Sequence, residues 1–212
     1  MPVRVKICGI TNVTDAEEAA SLGADAVGLN FYAQSPRCID ASMTRLILKA
    51  LPPFVEPVGL FVNEPLVDAQ RTAQALNLRT IQVYDDHHEI LPVGSARWIP
   101  AFSVKDTPGL QVITSYLEKL KSAGALPAAI LVDAHVPGRY GGTGQIAPWK
   151  LLAEFKPGVP LILAGGLTPD NVADAIRIVR PYAVDVASGV ESSPGKKHPD
   201  IMRRFIDAVR GV

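Results

Sequence analysis

The sequence predicts an α/β protein, a (β/α)8 (TIM) barrel that forms a single compact domain over residues 1–212. Apolar segments of strand length alternate with amphipathic helical segments eight times, at a mean repeat of about 26 residues, which suits the compact end of the barrel class. The strand segments are apolar on both faces, as parallel strands covered by helices must be. Strict alternation predicts a parallel sheet, and eight units favour its closure.

An open, doubly wound sheet is the alternative architecture. It is disfavoured because no G-x-G-x-x-G follows the first strand, where that fold binds dinucleotides. Two glycine turns late in the chain indicate a phosphate site in another place. No linker or composition shift marks a domain boundary.

The strands and helices follow from periodicity, glycine punctuation and caps. The predicted strands are 3–8, 24–31, 57–62, 80–84, 98–103, 128–132, 160–164 and 183–187. The predicted helices are 14–22, 42–51, 66–76, 111–123, 148–155, one whose first helical residue is Pro169, and 199–209. Thr14 and Glu17 form a T-x-x-E capping box, and Thr168 is the expected N-cap before Pro169. Residues 85–92 give the weakest pattern, at most one or two helical turns.

Composition limits the classes of function. The 21 basic and 21 acidic side chains give a formal net charge of zero, which argues against nucleic acid or an anionic membrane as the main partner. The longest apolar runs are too short to span a membrane. Two cysteines in 212 residues fit a reducing compartment, and no signal peptide is visible, so the expected location is cytoplasmic.

Chemistry in such a barrel is expected where its strands end at the carboxyl edge. The first strand delivers Cys8 there, either a reactive thiol or a small buried hydrophobe. The sixth strand ends at Asp133, where burial would raise the pKa of a carboxylic acid and suit a proton donor; capping of backbone N–H groups is the alternative. Arg37, in the loop after the second strand, could grip a carboxylate or be a solvated charge.

Two glycine turns predict phosphate binding. Gly165-Gly166 after the seventh strand and Ser188-Gly189 after the eighth would leave backbone N–H groups converging on an anion, and a short extra helix could follow Gly189. The alternative is that these glycines only make tight turns. The glycine-rich loop 134–145 could be a flap over the substrate or a plain surface loop. His87 and His88, followed by Glu89, lack further ligands at metal-binding spacing, so no metal site is predicted.

Seven motifs follow one another along the chain: KICGIT at Cys8, SPR at Arg37, FVN at Asn63, LVD at Asp133, YGGTG at Gly142, AGGLTPDNV at Gly165 and VDVASGVE at Asp185. Together they resemble the phosphoribosylanthranilate isomerase family of tryptophan biosynthesis. The resemblance covers essentially the whole chain in the right order, and KICGIT with SGVE is its most specific part.

The resemblance implies an Amadori rearrangement of N-(5-phosphoribosyl)anthranilate to 1-(2-carboxyphenylamino)-1-deoxyribulose 5-phosphate by acid–base catalysis. It implies Cys8 as general base, Asp133 as general acid and Arg37 as the group that holds the anthranilate carboxylate. It also implies substrate contacts at Gly142 and Asp185, phosphate contacts at the two glycine turns, and no metal or organic cofactor. The expected partner is a small phosphosugar substrate, bound by a monomer or homodimer.

The chain departs from the family pattern at some positions. Tyr84-Asp85 stands where the family commonly has His-Gly, Cys38 follows Arg37 where Tyr is frequent, and Ala147-Pro148 replaces Phe-Asp. Cys38 also places a second thiol on the face of Cys8, and we hypothesise that oxidation could pair the two. Another phosphosugar barrel isomerase, such as the related imidazole-pathway enzyme, and a non-catalytic phosphosugar sensor remain alternatives. The first works through two aspartates, one at the position of Cys8, and an intact Cys8–Asp133 pair speaks against the second.

Overall fold

The architecture is that of a closed parallel barrel, seen in a computed structural model that describes residues 2–84, 96–134 and 148–212. The predicted turn at 85–92, the glycine loop and Gly142 lie outside the described residues. Eight strands close the barrel in chain order, and β8 pairs in parallel with β1. They are β1 Arg4–Cys8, β2 Ala26–Asn30, β3 Glu56–Val62, β4 Thr80–Tyr84, β5 Arg97–Val104, β6 Ile130–Ala134, β7 Leu161–Leu163 and β8 Ala183–Val186. The prediction of a (β/α)8 barrel is confirmed.

Seven helices are described in the same residues, and each follows a strand of the barrel. They are α1 Val13–Ser21, α2 Ala41–Ala50, α3 Leu66–Ala75, α4 Thr107–Ser122, α5 Trp149–Ala153, α6 Val172–Val179 and α7 Pro199–Arg210. None of the helices in the described part of the chain has the length and apolarity that a membrane span requires.

Hydrophobic burial occurs in two separate regions. The larger lies between the helices and the outer face of the barrel, and contains fully buried side chains such as Phe61, Phe205 and Ile113. The smaller fills the barrel interior and includes Leu131, Ile162 and the thiol-bearing Cys8. Because every strand is covered by helices outside and by side chains inside, both of its faces are apolar, as the sequence pattern indicated.

Three predicted helix starts are wrong, and local hydrogen bonds explain them. Helix α4 begins at Thr107 and not at residue 111, because the Asp106 side chain accepts a hydrogen bond from the backbone N–H of Gly109 at 3.1 Å. Asn12, not Thr14, caps α1: its side chain accepts a hydrogen bond from the backbone N–H of Asp15 at 2.8 Å, an interaction worth about 1 kcal/mol. Helix α6 begins at Val172, because Asn171 accepts a hydrogen bond from the N–H of Thr168 at 2.8 Å and donates to the carbonyl of Gly166 at 2.9 Å. The segment around Pro169 is therefore a turn that Asn171 stabilises.

The chain after β8 forms a structure that periodicity did not predict. A 3-10 turn, Ser188–Val190, contains Gly189 itself and leads directly into a small antiparallel hairpin of β9 Glu191–Ser193 and β10 Lys196–Lys197, so the short helix expected after Gly189 is not formed. The hairpin returns to the first strand's loop, where the Thr11 hydroxyl donates to the carbonyl of Gly195 at 2.5 Å. It therefore closes over the seam between β8 and β1.

Candidate active site

A pocket opens at the carboxyl ends of the barrel strands. It brings together eight of the nine predicted site residues, and the ninth, Gly142, lies outside the described residues. The eight are Cys8, Arg37, Asp133, Gly165, Gly166, Asp185, Ser188 and Gly189. They come from loops and strands far apart in sequence, so closure of the barrel is what assembles them.

Cys8 places its thiol inside the barrel against a glycine of the neighbouring strand. Cys8 is 6% exposed and pairs with Gly28 of β2 in the parallel register. A Cβ at Gly28 would lie 2.6 Å from the Cys8 Sγ and 3.1 Å from the Lys6 Nζ, so only glycine leaves room for both groups. Gly28 was not predicted, and its place opposite Cys8 becomes visible only with the register.

Lys6 and Asp185 form a buried ion pair beside the thiol. Lys6 Nζ lies 2.8 Å from an Asp185 carboxylate oxygen, with side chains only 5% and 8% exposed. Burial opposes the charge on Lys6, but Asp185 and Cys8 outweigh it and raise the lysine's pKa, so Lys6 is an ammonium. Burial also raises the pKa of the Cys8 thiol, with Asp185 acting in the same direction and Lys6 and Lys197 against it. Desolvation of the thiol therefore outweighs the effect of the two cations on its pKa.

These charges predict opposite effects of two substitutions on thiol reactivity. Thiolate forms as pH rises through the thiol pKa, so a higher pKa moves the alkylation profile to higher pH. Lys6→Met removes one of the two cations that lower the Cys8 pKa and is expected to shift the profile to higher pH; Asp185→Asn is expected to shift it to lower pH. The measurement is the rate of iodoacetamide alkylation against pH, in a Cys38→Ser background that removes the exposed thiol.

Each single substitution leaves a buried charge without its partner, which costs about 3–5 kcal/mol. The double variant Lys6→Met/Asp185→Asn removes both charges and is expected to return the profile toward that of the parent. Shifts of the same sign in the two single variants would contradict the electrostatic account.

Asp133 is buried at the end of β6, and Tyr84 of β4 contacts it. Asp133 is 3% exposed, which confirms the expected burial. The Tyr84 hydroxyl donates to Asp133 Oδ2 at 3.2 Å, and burial, with Asp133 nearby, raises the pKa of that phenol well above its ordinary value. Tyr84 therefore stays a neutral hydrogen-bond donor that orients the carboxyl group. Tyr84, which departs from the family pattern, is thus hydrogen-bonded to the candidate acid.

Gln82 is a polar residue of the pocket that sequence analysis did not single out. It lies on β4, is 1% exposed, and lines the pocket together with Tyr84. Within the described part of the chain, neither its amide nitrogen nor its amide oxygen has a hydrogen-bond partner. A buried amide without partners costs about 1–3 kcal/mol, so its presence requires a compensating role.

The two glycine turns face the same pocket. Gly165 and Gly166 have φ angles of 89° and 62°, a left-handed backbone that favours glycine. At Gly189 a Cβ would collide with the carbonyl oxygen of Leu167, so the two turns pack directly on each other. The backbones of both turns therefore meet at one edge of the pocket, an arrangement that suits an anion.

Arg37 is neither a solvated charge nor a free guanidinium. Its Nε and Nη2 donate to the two carboxylate oxygens of Glu191 at 2.8 and 2.7 Å, and its side chain is 13% exposed. Its loop is stabilised by Ser35, whose hydroxyl accepts from the N–H of Arg37 and from the side chain of Asn30, both at 3.1 Å. The solvated alternative is wrong, and the bidentate pair joins Arg37 to the protein's own hairpin.

The two cysteines are not joined. Cys8 is buried and Cys38 is exposed, and both thiols are free. Cys38 forms an isolated parallel bridge with Asn30 of β2, whose other side pairs with Leu60 of β3. The hypothesised Cys8–Cys38 disulfide is absent from the structure.

The fold and the site together define a class of protein. A closed (β/α)8 barrel whose carboxyl-end pocket holds a thiol, a carboxylic acid, buried cations and paired glycine turns is a barrel enzyme equipped for acid–base chemistry on an anionic substrate.

Comparison with known proteins identifies the family. Residues 5–208 match the model of the family described as N-(5'phosphoribosyl)anthranilate (PRA) isomerase. The chain is 49% identical over 210 residues to the N-(5'-phosphoribosyl)anthranilate isomerase of Acidithiobacillus ferrooxidans, covering 99% of this chain and 98% of the relative. The chain belongs to the phosphoribosylanthranilate isomerase family, and is an isomerase.

Solved structures agree with this assignment. The phosphoribosyl anthranilate isomerase of Thermotoga maritima superposes with a TM-score of 0.84 at 38% identity, covering 99% of this chain and all of the other. A further isomerase structure, in complex with reduced 1-(o-carboxyphenylamino)-1-deoxyribulose 5-phosphate, superposes with a TM-score of 0.82 at 36% identity over 99% of this chain and 100% of that one.

Proposed function

We propose that this protein converts N-(5-phosphoribosyl)anthranilate into 1-(2-carboxyphenylamino)-1-deoxyribulose 5-phosphate, the third step from chorismate to tryptophan. The observation that carries the proposal is the pairing of a buried thiol, Cys8, with a buried carboxylic acid, Asp133, in one pocket beside two glycine turns. The strands β6 and β1 are separated by two strands of the closed barrel, so acid and base approach a bound substrate from different directions.

The acid opens the sugar ring. Asp133, as the neutral acid, donates its proton to the ring oxygen of the ribose while the bond from that oxygen to C1 breaks. The nitrogen lone pair forms a double bond to C1 and gives an iminium ion. The hydrogen bond from Tyr84 supports this role by fixing the plane of the carboxyl group.

The base then removes the proton from C2. Cys8, as thiolate, accepts that proton; the C–H electron pair becomes the C1–C2 double bond, and the iminium electrons return to nitrogen. The enolamine loses the C2 hydroxyl proton and gains a proton at C1 to give the ketone. The substrate's own nitrogen is the electron sink. Because the thiol pKa is raised, the thiolate is scarce at neutral pH but is a strong base when formed.

The remaining site residues hold the substrate in this scheme. Gly165, Gly166, Ser188 and Gly189 bind the phosphate through backbone N–H groups. Arg37 holds the anthranilate carboxylate: Glu191 engages Nε and Nη2, and the Nη1 edge of the guanidinium provides further donors. In the same proposal Asp185 contacts the ribose, since it lines the pocket beside Cys8.

Gln82 gives a prediction for substrate contact. We propose that its buried amide binds a ribose hydroxyl, a group that both donates and accepts hydrogen bonds. Gln82→Leu is then expected to lower kcat/KM by roughly 10- to 100-fold, the loss of about one to two hydrogen bonds to substrate. The same change should leave the free energy of unfolding equal or higher, because an amide without partners is replaced by an apolar side chain of similar size. Steady-state kinetics and urea unfolding measure the two effects, and unchanged kcat/KM with lower stability would assign Gln82 to the core.

The test of the proposed function is conversion of the substrate itself. Freshly prepared N-(5-phosphoribosyl)anthranilate is mixed with wild-type protein, loss of anthranilate fluorescence is followed, and the product is identified by mass and chromatography. We expect conversion far faster than spontaneous decay of the substrate. Decay at the spontaneous rate would refute the proposal.

We also propose that residues 1–212 act as one isomerase domain in the cytoplasm. Closure of the barrel by β1 and β8 supports a single unit, and two free thiols suit a reducing compartment. Fractionation of producing cells tests the location, and recovery with secreted proteins would contradict it.

A further inference from the structure

The hairpin after β8 carries two charged side chains into the protein instead of into solvent. The side chain of Lys197 is 0% exposed and that of Glu191 is 4% exposed. Buried charges are costly unless they are paired and fully hydrogen-bonded. Neither residue transfers a proton in the proposed mechanism, so their contacts are what indicates their role.

Lys197 is bound by three oxygen atoms. Its Nζ donates to the carbonyl of Cys8 at 2.6 Å, to the carbonyl of Ala187 at 3.1 Å and to Glu191 Oε1 at 2.8 Å. Three acceptors match the three N–H bonds of an ammonium group and stabilise its charged form, whereas burial lowers the pKa of Lys197. Lys197 thereby fixes the main chain of the candidate base and the start of the turn proposed to bind phosphate.

Glu191 joins Lys197 to Arg37. One oxygen, Oε1, accepts from both Lys197 and Arg37 Nε, and Oε2 accepts from Arg37 Nη2 at 2.7 Å. Burial favours the neutral acid, but the two cations hold the pKa of Glu191 below its usual range. The carboxylate is therefore ionised and sets the plane of the guanidinium.

The contacts form a closed ring around the first strand's end. The side chain of Arg37 crosses Gly9, where a Cβ would collide with Arg37 Cδ, and Gly9 follows Cys8 directly. The ring runs from Cys8 through Lys197, Glu191 and Arg37 back to Gly9. A change at either hairpin residue is thus transmitted to both sides of the pocket.

We propose that Lys197 and Glu191 are positioning residues of this active site: Lys197 fixes the main chain of Cys8, and Glu191 orients Arg37 toward the substrate carboxylate. The inference rests on the proposed function for its kinetic consequences. Its effect on the Cys8 thiol is independent of turnover, since Lys197 is one of the cations that lower the thiol's pKa.

The test compares Glu191→Gln and Lys197→Met with the parent protein, all in the Cys38→Ser background. Glu191→Gln keeps the shape of the side chain but removes its charge, so Arg37 is held less firmly, and KM is expected to rise about tenfold or more with a smaller change in kcat. Lys197→Met releases the main chain of Cys8, and kcat is expected to fall about 100-fold, the order of effect of a small misplacement. Lys197→Met should also shift the Cys8 alkylation profile to higher pH.

Controls separate positioning from stability. Lys196→Met removes an exposed charge one residue away in the hairpin, and Glu118→Gln removes an exposed carboxylate from α4; both should behave as the parent. A lower melting temperature for Lys197→Met and Glu191→Gln with kcat, KM and the alkylation profile unchanged in the folded protein would overturn the inference. If the parent converts no substrate while Lys197→Met still shifts the alkylation profile, the proposed function fails and the positioning of Cys8 stands.

Discussion

Cys8→Ser is expected to reduce kcat by roughly 100- to 10,000-fold, the usual contribution of a general base. A serine hydroxyl fits the space against Gly28 that the thiol occupies, but it ionises far less readily than a thiol, so almost no anionic base is present. Binding of the substrate should change much less, because the contacts proposed for carboxylate and phosphate lie on other residues. Single-turnover conversion with enzyme in excess measures the chemical step directly.

The matched control for Cys8→Ser is Cys38→Ser. Cys38 carries the other thiol, next to Arg37 but exposed, and plays no part in the mechanism, so its replacement should leave kcat unchanged. A Cys8→Ser variant with the rate of the parent would remove Cys8 from the role of base.

Asp133→Asn is expected to lower kcat by a factor of the same order, because the amide has the shape of the acid without its transferable proton. Asparagine keeps a carbonyl oxygen that can accept the hydrogen bond from the Tyr84 hydroxyl, so the fold around β6 should be retained. The decrease in rate should affect ring opening, the first chemical step. Raising the pH should not restore this rate, because it increases only the thiolate form of the base, Cys8.

The exposed Asp207 of α7 supplies the control for this second variant. Asp207→Asn removes one carboxylate far from the pocket and should leave the kinetics as they are. If the Asp133→Asn variant reacted as fast as the parent protein, the ring oxygen would receive its proton from another group.

Much of the fold and of the reacting pair could be predicted because both depend on local pattern. Strand segments that end at Cys8 and Asp133 identify the catalytic edge once a parallel barrel is inferred, and the glycine turns are visible as sequence. Lys6 could have been placed with Cys8, since residues two apart on a strand share a face. In a closed barrel that face is the interior.

The rest of the site depends on contacts that no local pattern records. Glu191 and Lys197 act across the seam between the last strand and the first, which exists only after closure. Asn12 and Asn171 displaced the predicted caps because several capping residues were adjacent and tertiary geometry selected among them. Gly28 is required only because the register places it opposite the thiol.

The central claim, that Cys8 removes the proton from ribose C2 of the bound substrate, is tested most directly with substrate that carries deuterium at C2. Wild-type protein in excess converts protonated and deuterated substrate in single turnovers across a range of pH. We predict slower conversion of the deuterated substrate, most clearly at low pH, where thiolate is scarce and proton removal limits the rate. Equal rates at every pH, or no conversion above spontaneous decay, would contradict the account.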